Sequence, residues 1–276
     1  MKSSTLALVC LVMLAVPSRA QQDDVSMKID VVAWGDEIKG LSVKPGSSKG
    51  TITALGFRYS KPVAYSGPVI MSIYQTGSAP APAAPAVDFP AAGRIVPRNP
   101  FASESKNDPA PKPAPKQGLA LELERRRQKD PSLVALAVLP GGACRRATVL
   151  LAAAEAGTFT AYVIDDDPSK LPVGHVRIHN LCPVPIAMRC NGQPVKQLNN
   201  RDAIIVPAIK DHLIYELAYQ LGDEWKVQEN NVIPVHPDEQ AQMIILKSDH
   251  SYFLASDGSR SGFLQLLTLR RSPDSR

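Results

Sequence analysis

The chain has 276 residues, 44% hydrophobic and 21% charged, with 31 Lys and Arg against 26 Asp and Glu for a formal net charge of +5. That length holds one large domain or two of ordinary size. The charge excess is too small for a nucleic-acid partner, which calls for a dense basic stripe. After the first twenty residues no segment approaches the about 20 apolar residues of a membrane-spanning helix.

Residues 1–20 have the layout of a secretory signal peptide. Lys2 gives a basic start, residues 6–16 are apolar, and Ser18, Arg19 and Ala20 fit a small-x-small cleavage site. Cys10 lies inside the run behind Val9, not behind the small residue of a lipoprotein site. The expectation is a mature chain that starts near Gln21, has no transmembrane segment and lies in the periplasm or outside the cell. It keeps Cys144, Cys182 and Cys190, enough for one intramolecular disulfide at most. Sparse cysteine and no Asn-x-Ser/Thr sequon fit a bacterial exported protein.

Beyond the leader, short β-branched or aromatic runs punctuated by Gly, Pro, Asn and Asp predict strands. In chain order they cover 28–34, 51–59, 69–75, 133–139, 147–152 and 158–164. A second set covers 175–181, 186–190, 203–206, 213–221, 224–228, 242–247 and 263–269. Such spacing points to sandwiches or barrels, not βαβ units. In 213–221 the residues Leu213, Tyr215, Leu217, Tyr219 and Leu221 alternate without a break, which predicts one inward face. Gly222 and Asp223 follow as a type II′ hairpin turn.

Residues 77–118 are rich in Pro and Ala and lack the apolar density to offset ordering entropy. They are expected to be disordered or extended, with polyproline II character near 109–115, either as a partner-binding arm or as a variable surface insertion. Residues 116–129 are ambiguous. Glu122 and Arg126 at i, i+4 favour a helix, whereas Leu119, Leu121 and Leu123 alternate; strand character is expected at the start of this segment, with room for a helical turn later.

A weak internal repeat sets the domain division. Residues 73–77 resemble 218–222; each half then has an apolar strand, at 136–139 and 244–247, and closes with Gly, a Phe-led strand and Pro. The Pro-rich stretch then replaces the hairpin turn that Gly222 and Asp223 make in the second half. The expected fold class is all-β: two tandem immunoglobulin-like β-sandwich domains, 25–170 carrying the disordered insertion at 77–118, and 174–271.

The run Val176, Arg177, Ile178, His179, Asn180, Leu181, then Pro183 and a strand ending at Cys190, Asn191 and Gly192, resembles the opening hairpin of secreted bacterial β-sandwich domains of unknown function. The resemblance covers about twenty residues. It implies an immunoglobulin-like sandwich and no activity.

Each motif with chemical potential has a plainer explanation. Residues 46–50 match Gly-x-Ser-x-Gly, but that elbow needs a strand-to-helix turn; a strand-like run follows here, so a flexible hairpin loop is expected. His175 and His179 would lie about 13 Å apart on a strand, too far for one ion, and are read as unrelated surface residues. Asp165, Asp166 and Asp167 could bind calcium but lack the loop spacing, so a solvated interdomain turn is expected. Arg125, Arg126 and Arg127 could meet an acidic polymer, yet Glu122, Glu124 and Asp130 offset them, and a solvated face is expected. Cys190 is expected in the core, and Cys144 and Cys182 form the candidate pair for any disulfide.

No catalytic, cofactor-binding or metal-binding residue is assigned. The favoured expectation is an exported, non-enzymatic protein, a cell-envelope accessory or binding module whose partner is an envelope protein or polymer. The alternatives are a periplasmic assembly chaperone acting by β-strand addition and a secreted hydrolase.

Overall fold

The computed structural model describes residues 24–44, 51–76, 118–247 and 263–271. The expected signal peptide at 1–20, the Gly-x-Ser-x-Gly run and residues 77–117 of the Pro-rich stretch lie outside the described residues. The protein is all-β, with sixteen strands and one α-helix among the described residues.

The first half contains β1 (Asp24–Trp34), β2 (Ile38–Ser42), β3 (Ile52–Gly56), β4 (Val63–Pro68), β5 (Ile70–Gln75), α1 (Leu119–Arg127), β6 (Leu133–Val138), β7 (Arg146–Ala153) and β8 (Phe159–Asp165). One sheet runs β6-β5-β2-β3-β1-β7-β8, and β4 also pairs with β1. β1 is long enough to serve two neighbours on one side: antiparallel β4 beside residues 24–29, then parallel β3 beside Val32 and Ala33. The two ends of the order, β6 and β8, lie against each other. The sheet therefore curls over one core, in which Ile29 and Val31 meet Met71, Ala135, Val149 and Leu151. The β1–β3 crossing is tight. A Cβ on Gly56 would sit 2.3 Å from the Gly35 carbonyl oxygen, so only glycine fits there.

The second half contains β9 (His175–Asn180), β10 (Ile186–Cys190), β11 (Lys196–Leu198), β12 (Ala203–Pro207), β13 (His212–Leu221), β14 (Glu224–Pro234), β15 (Gln240–Lys247) and β16 (Leu264–Arg271). They form two four-stranded sheets, β12-β9-β15-β16 and β11-β10-β13-β14, packed over a second core. Leu213, Tyr215 and Leu217 all point into it, with Tyr219 at its margin, as their alternation predicts. Gly222 has φ 61 and Asp223 is not left-handed, the combination a type II′ turn requires.

A third cluster joins the halves. Strand parity explains it. Ile29, Val31 and Ala33 of β1 and Ala147, Val149 and Leu151 of β7 face the first core. Their neighbours Val32, Trp34 and Leu150 instead meet Ile244 and Leu246 of β15 and Leu267 and Leu269 of β16. Thus β1 and β7, and likewise β9 and β15, are parallel pairs buried on both faces, which accounts for the unbroken apolar runs at 31–34 in β1, 149–153 in β7 and 243–246 in β15.

All thirteen expected strands are present. β2, β4 and β11 were not anticipated: Pro68 and Gly67 mask β4, and β11 has only three residues. The strand character expected at the start of 116–129 is corrected to helix α1, which also takes in the helical turn allowed for its later part. β5 and β6 already pair directly, leaving no slot between them, and Leu, Ala, Glu and Arg are good helix formers. Within the repeat, β5 matches β13, since each pairs with the following strand through the connection in question. The partner of β6 is then β14. β15, matched to β6 in the sequence, instead pairs parallel with β9 as β7 does with β1.

Leu217 is fully buried, whereas Glu216 on the other face makes an exposed ion pair with Arg189. Leu217→Ala should destabilise the protein by about 2–5 kcal/mol, and Glu216→Ala by about 1 kcal/mol or less. Urea melts followed by circular dichroism check both.

Candidate functional site

The densest group of ionisable side chains lies inside the protein, at one end of the face that joins the halves. β1 contributes Asp30, β7 Arg146 and Thr148, the residue after β8 Asp166, β15 Gln242, β9 His179 and β16 Arg271. All are buried. Each sits on the strand parity that faces the other half, because the opposite parity is taken by the two cores.

Arg146 grips Asp30 with a two-pronged fork: Nε donates to Oδ2 at 2.7 Å and Nη2 to Oδ1 at 3.0 Å. Arg271 Nη2 donates to Asp30 Oδ2 at 3.2 Å and makes a second ion pair with Asp166 Oδ2. Asp166 Oδ2 also accepts from Thr148 Oγ1 at 2.8 Å and from the Tyr59 hydroxyl at 3.1 Å. The Tyr59 ring lies under the Arg271 guanidinium, 4.1 Å from ring centroid to Cζ. Burial, and then the Asp166 charge, push the Tyr59 hydroxyl well above its ordinary pKa.

The chain of bonds continues into the second half. Gln242 Nε2 donates to Asp166 Oδ1 at 2.7 Å, which leaves Gln242 Oε1 as the acceptor facing His179 Nε2 at 2.9 Å. His179 therefore carries its proton on Nε2. Burial pushes its pKa down to about 4; the Gln242 bond works in the other direction, and Arg177 lowers it further. Two carboxylates meet two guanidinium groups, so the seam is balanced in charge, and among the described residues none of its buried polar atoms lacks a partner.

Around the seam, polar side chains hold the link between the halves. Arg177 Nη1 donates to the Asp165 carbonyl at 2.8 Å and Gln240 Nε2 to the Pro168 carbonyl at 2.8 Å. Asp167 accepts from the Arg145 and Ser169 backbone N–H groups, both at 3.0 Å. The solvated turn expected at 165–167 is thereby corrected: Asp166 and Asp167 are buried, because the sheets on either side close over them. His179 is likewise buried and not a surface residue, whereas His175 bonds locally to the Val173 carbonyl. Among the described residues no three His, Cys, Asp or Glu converge as a metal set.

The remaining candidates are also held in place. Arg125 and Arg126 pair with Glu122, and Arg127 donates to the Ala156 carbonyl at 3.0 Å. Cys144, Cys182 and Cys190 are free and buried. Cys144 sits in the first core and Cys182 in the second, so the pairing considered from sequence does not form. Burial pushes the Cys144 and Cys190 thiols up to about 11, which leaves them unreactive.

Two surface features stand apart. Among the described residues β14 is an edge strand of its sheet, and on the solvent face Trp225, Val227 and Val232 are exposed, Val227 at 80%. A depression of about 350 Å³ lies over β1 and β4, lined by Ser26, Lys28, Ser66 and Arg145 among others.

Removing one member of the seam strands a buried charge. Arg271→Ala should cost about 3–5 kcal/mol in urea melts, and Arg271→Lys should rescue only part of it because an ammonium lacks the planar group that stacks on the Tyr59 ring. The His179 proton adds a pH dependence. Its pKa is lower folded than its ordinary 6.5, so the unfolded state binds the proton first as pH falls. The stability is whole above pH 6.5 and is lost toward pH 4, by on the order of 3 kcal/mol. Urea midpoints between pH 7.5 and 4.5 should show this component in the wild type and lack it in His179→Asn. No protein-family model matches the chain, and no curated protein matches it in sequence.

Proposed function

We propose that the chain is an exported, non-enzymatic β-sandwich protein that serves the cell envelope as an accessory or binding module. The observation that carries this reading is the closure of the seam. Acids, bases and a histidine are brought together as in a catalytic centre, yet each is spent on another and none lines the depression over β1 and β4. Catalysis needs a group within reach of substrate, and these groups hold two halves in register instead. The signal-peptide pattern supports export.

A second reading, assembly by β-strand addition, is supported by the β14 edge. An edge strand offers a row of unpaired backbone groups to an incoming strand. A one-residue bulge opposite Leu217 and Ala218 and the terminal Pro234 interrupt that row, which favours the first reading.

Fractionation of cells producing the chain tests the proposal. The mature protein should leave the cytoplasm with an N-terminus at or near Gln21 and should co-sediment with isolated envelope. Retention of Met1, or recovery from the cytoplasm alone, would count against it.

A further inference from the structure

Lys28 and Asp30 are two residues apart on the same face of β1. Asp30 is sealed beneath Arg146 and Arg271, while Lys28 is exposed. The second half therefore stops covering this face between them. Beyond that boundary lies the depression of about 350 Å³. Lys28 enters it from β1, Ser26 from the same strand one step further out, Ser66 from β4, and Arg145 from the residue just before β7.

This lining is one-sided in charge. Its residues include two cations, three hydroxyls and no carboxylate, and of the hydroxyls that of Tyr65 is spent on the Pro68 carbonyl. Neither Lys28 nor Arg145 has an ion-pair partner among the described residues. Along the same face of β1, Asp30 is two residues from Lys28 but is taken up by Arg146 and Arg271, and Asp24 is four residues away, about 13 Å at strand rise. The backbones that carry the two cations are fixed relative to each other, since the Lys28 backbone N–H donates to the Arg145 carbonyl at 2.9 Å and the Arg145 N–H is held by Asp167.

We propose that this depression binds a phosphoryl group. A phosphoryl group presents several acceptor oxygens and one to two negative charges. An Arg fork, a Lys ammonium and two hydroxyl donors on rigid strands supply matching donors and charge. The volume admits the group with part of whatever carries it. The inference rests on the reading of the chain as an envelope-binding module and names the chemistry that module recognises. The carrier is either a lipid headgroup or a soluble phosphate ester.

Titration of the full mature chain tests this, with amide shifts of Lys28 and Arg145 as the local readout. The probes are inorganic phosphate, vesicles of phosphatidylglycerol and vesicles of phosphatidylcholine. Saturable shifts with phosphate are expected, weakened about tenfold in Lys28→Gln and in Arg145→Gln, the scale of one charge-assisted bond. The exposed control Arg125→Gln should bind like wild type. Binding to phosphatidylglycerol but not phosphatidylcholine vesicles, lost in the same two variants, assigns the lipid as carrier; phosphate binding without vesicle binding assigns a soluble ester. Absence of saturable shifts with every probe, or equal weakening by Arg125→Gln, overturns the proposal. Envelope co-sedimentation of the wild type, unchanged in the Lys28→Gln/Arg145→Gln double variant, overturns the lipid as carrier while leaving the binding-module reading intact.

Discussion

The Arg271 guanidinium is the contact on which the rest of the arrangement depends. It joins Asp30, 241 residues earlier, to Asp166, 105 residues earlier, and does so from the last described residue of the chain. Burying a charge is costly unless it is paired and hydrogen-bonded. Here two acids and two bases share one low-dielectric space, and Thr148, Tyr59 and Gln242 occupy the remaining lone pairs of Asp166. Each charge is tolerable only while the others stay put. A shift of either central sheet by two residues along its strands would set Asp30 or Asp166 against apolar side chains such as Leu267. The seam's main effect is therefore on how the halves dock, while the neighbouring cluster of Trp34, Leu150, Ile244 and Leu267 supplies the apolar burial that drives the docking.

This division explains why the molecule stacks its sheets. β1, β7, β9 and β15 need apolar residues on both parities, one for their own core and one for the shared face. A fragment beginning at residue 172 would keep its own core of Val176, Ile178, Leu213 and Met243. It would also expose Leu181, Ile244, Leu246, Leu267 and Leu269, an apolar patch of the kind soluble monomers avoid, together with the unpaired Arg271.

The strands were legible because period-two alternation and Gly or Pro punctuation are local signals. β10 falls on 186–190 as expected, and the inward Leu213, Tyr215 and Leu217 follow from alternation alone. α1 was obscured because Leu119, Leu121 and Leu123 alternate like a strand, although Glu122 with Arg125 and Arg126 gave the competing helical signal. The seam was harder. Asp30, Asp166 and Arg271 each look like an isolated charge, and nothing local brings together residues so far apart. A signal was nevertheless present: Arg177 and His179, Gln240 and Gln242, and Arg146 and Thr148 are polar residues on alternate positions of strands whose other parity is apolar. In a strand with one wet face that pattern means solvent. In a strand buried on both faces it means a polar network, and the unbroken apolar stretches beside these residues tell the two cases apart.

The surface takes its character from the same seam. Along β1 the outward parity runs from Trp34 and Val32, packed on the second half, to Asp30, buried under two guanidinium groups, and then to exposed Lys28 and Ser26. The strand is continuous through all three environments, and only the cover changes. Because Asp30 and Arg146 are clamped next to it, the backbone beneath Lys28 is fixed by interactions that a surface ligand does not need to make. A ligand arriving there meets donors whose strands are already ordered, so little backbone entropy opposes binding. The buried charges thus position the exposed ones: the salt bridge between Asp30 and Arg146 sets the register of β1 on β7 that places Lys28 beside Arg145.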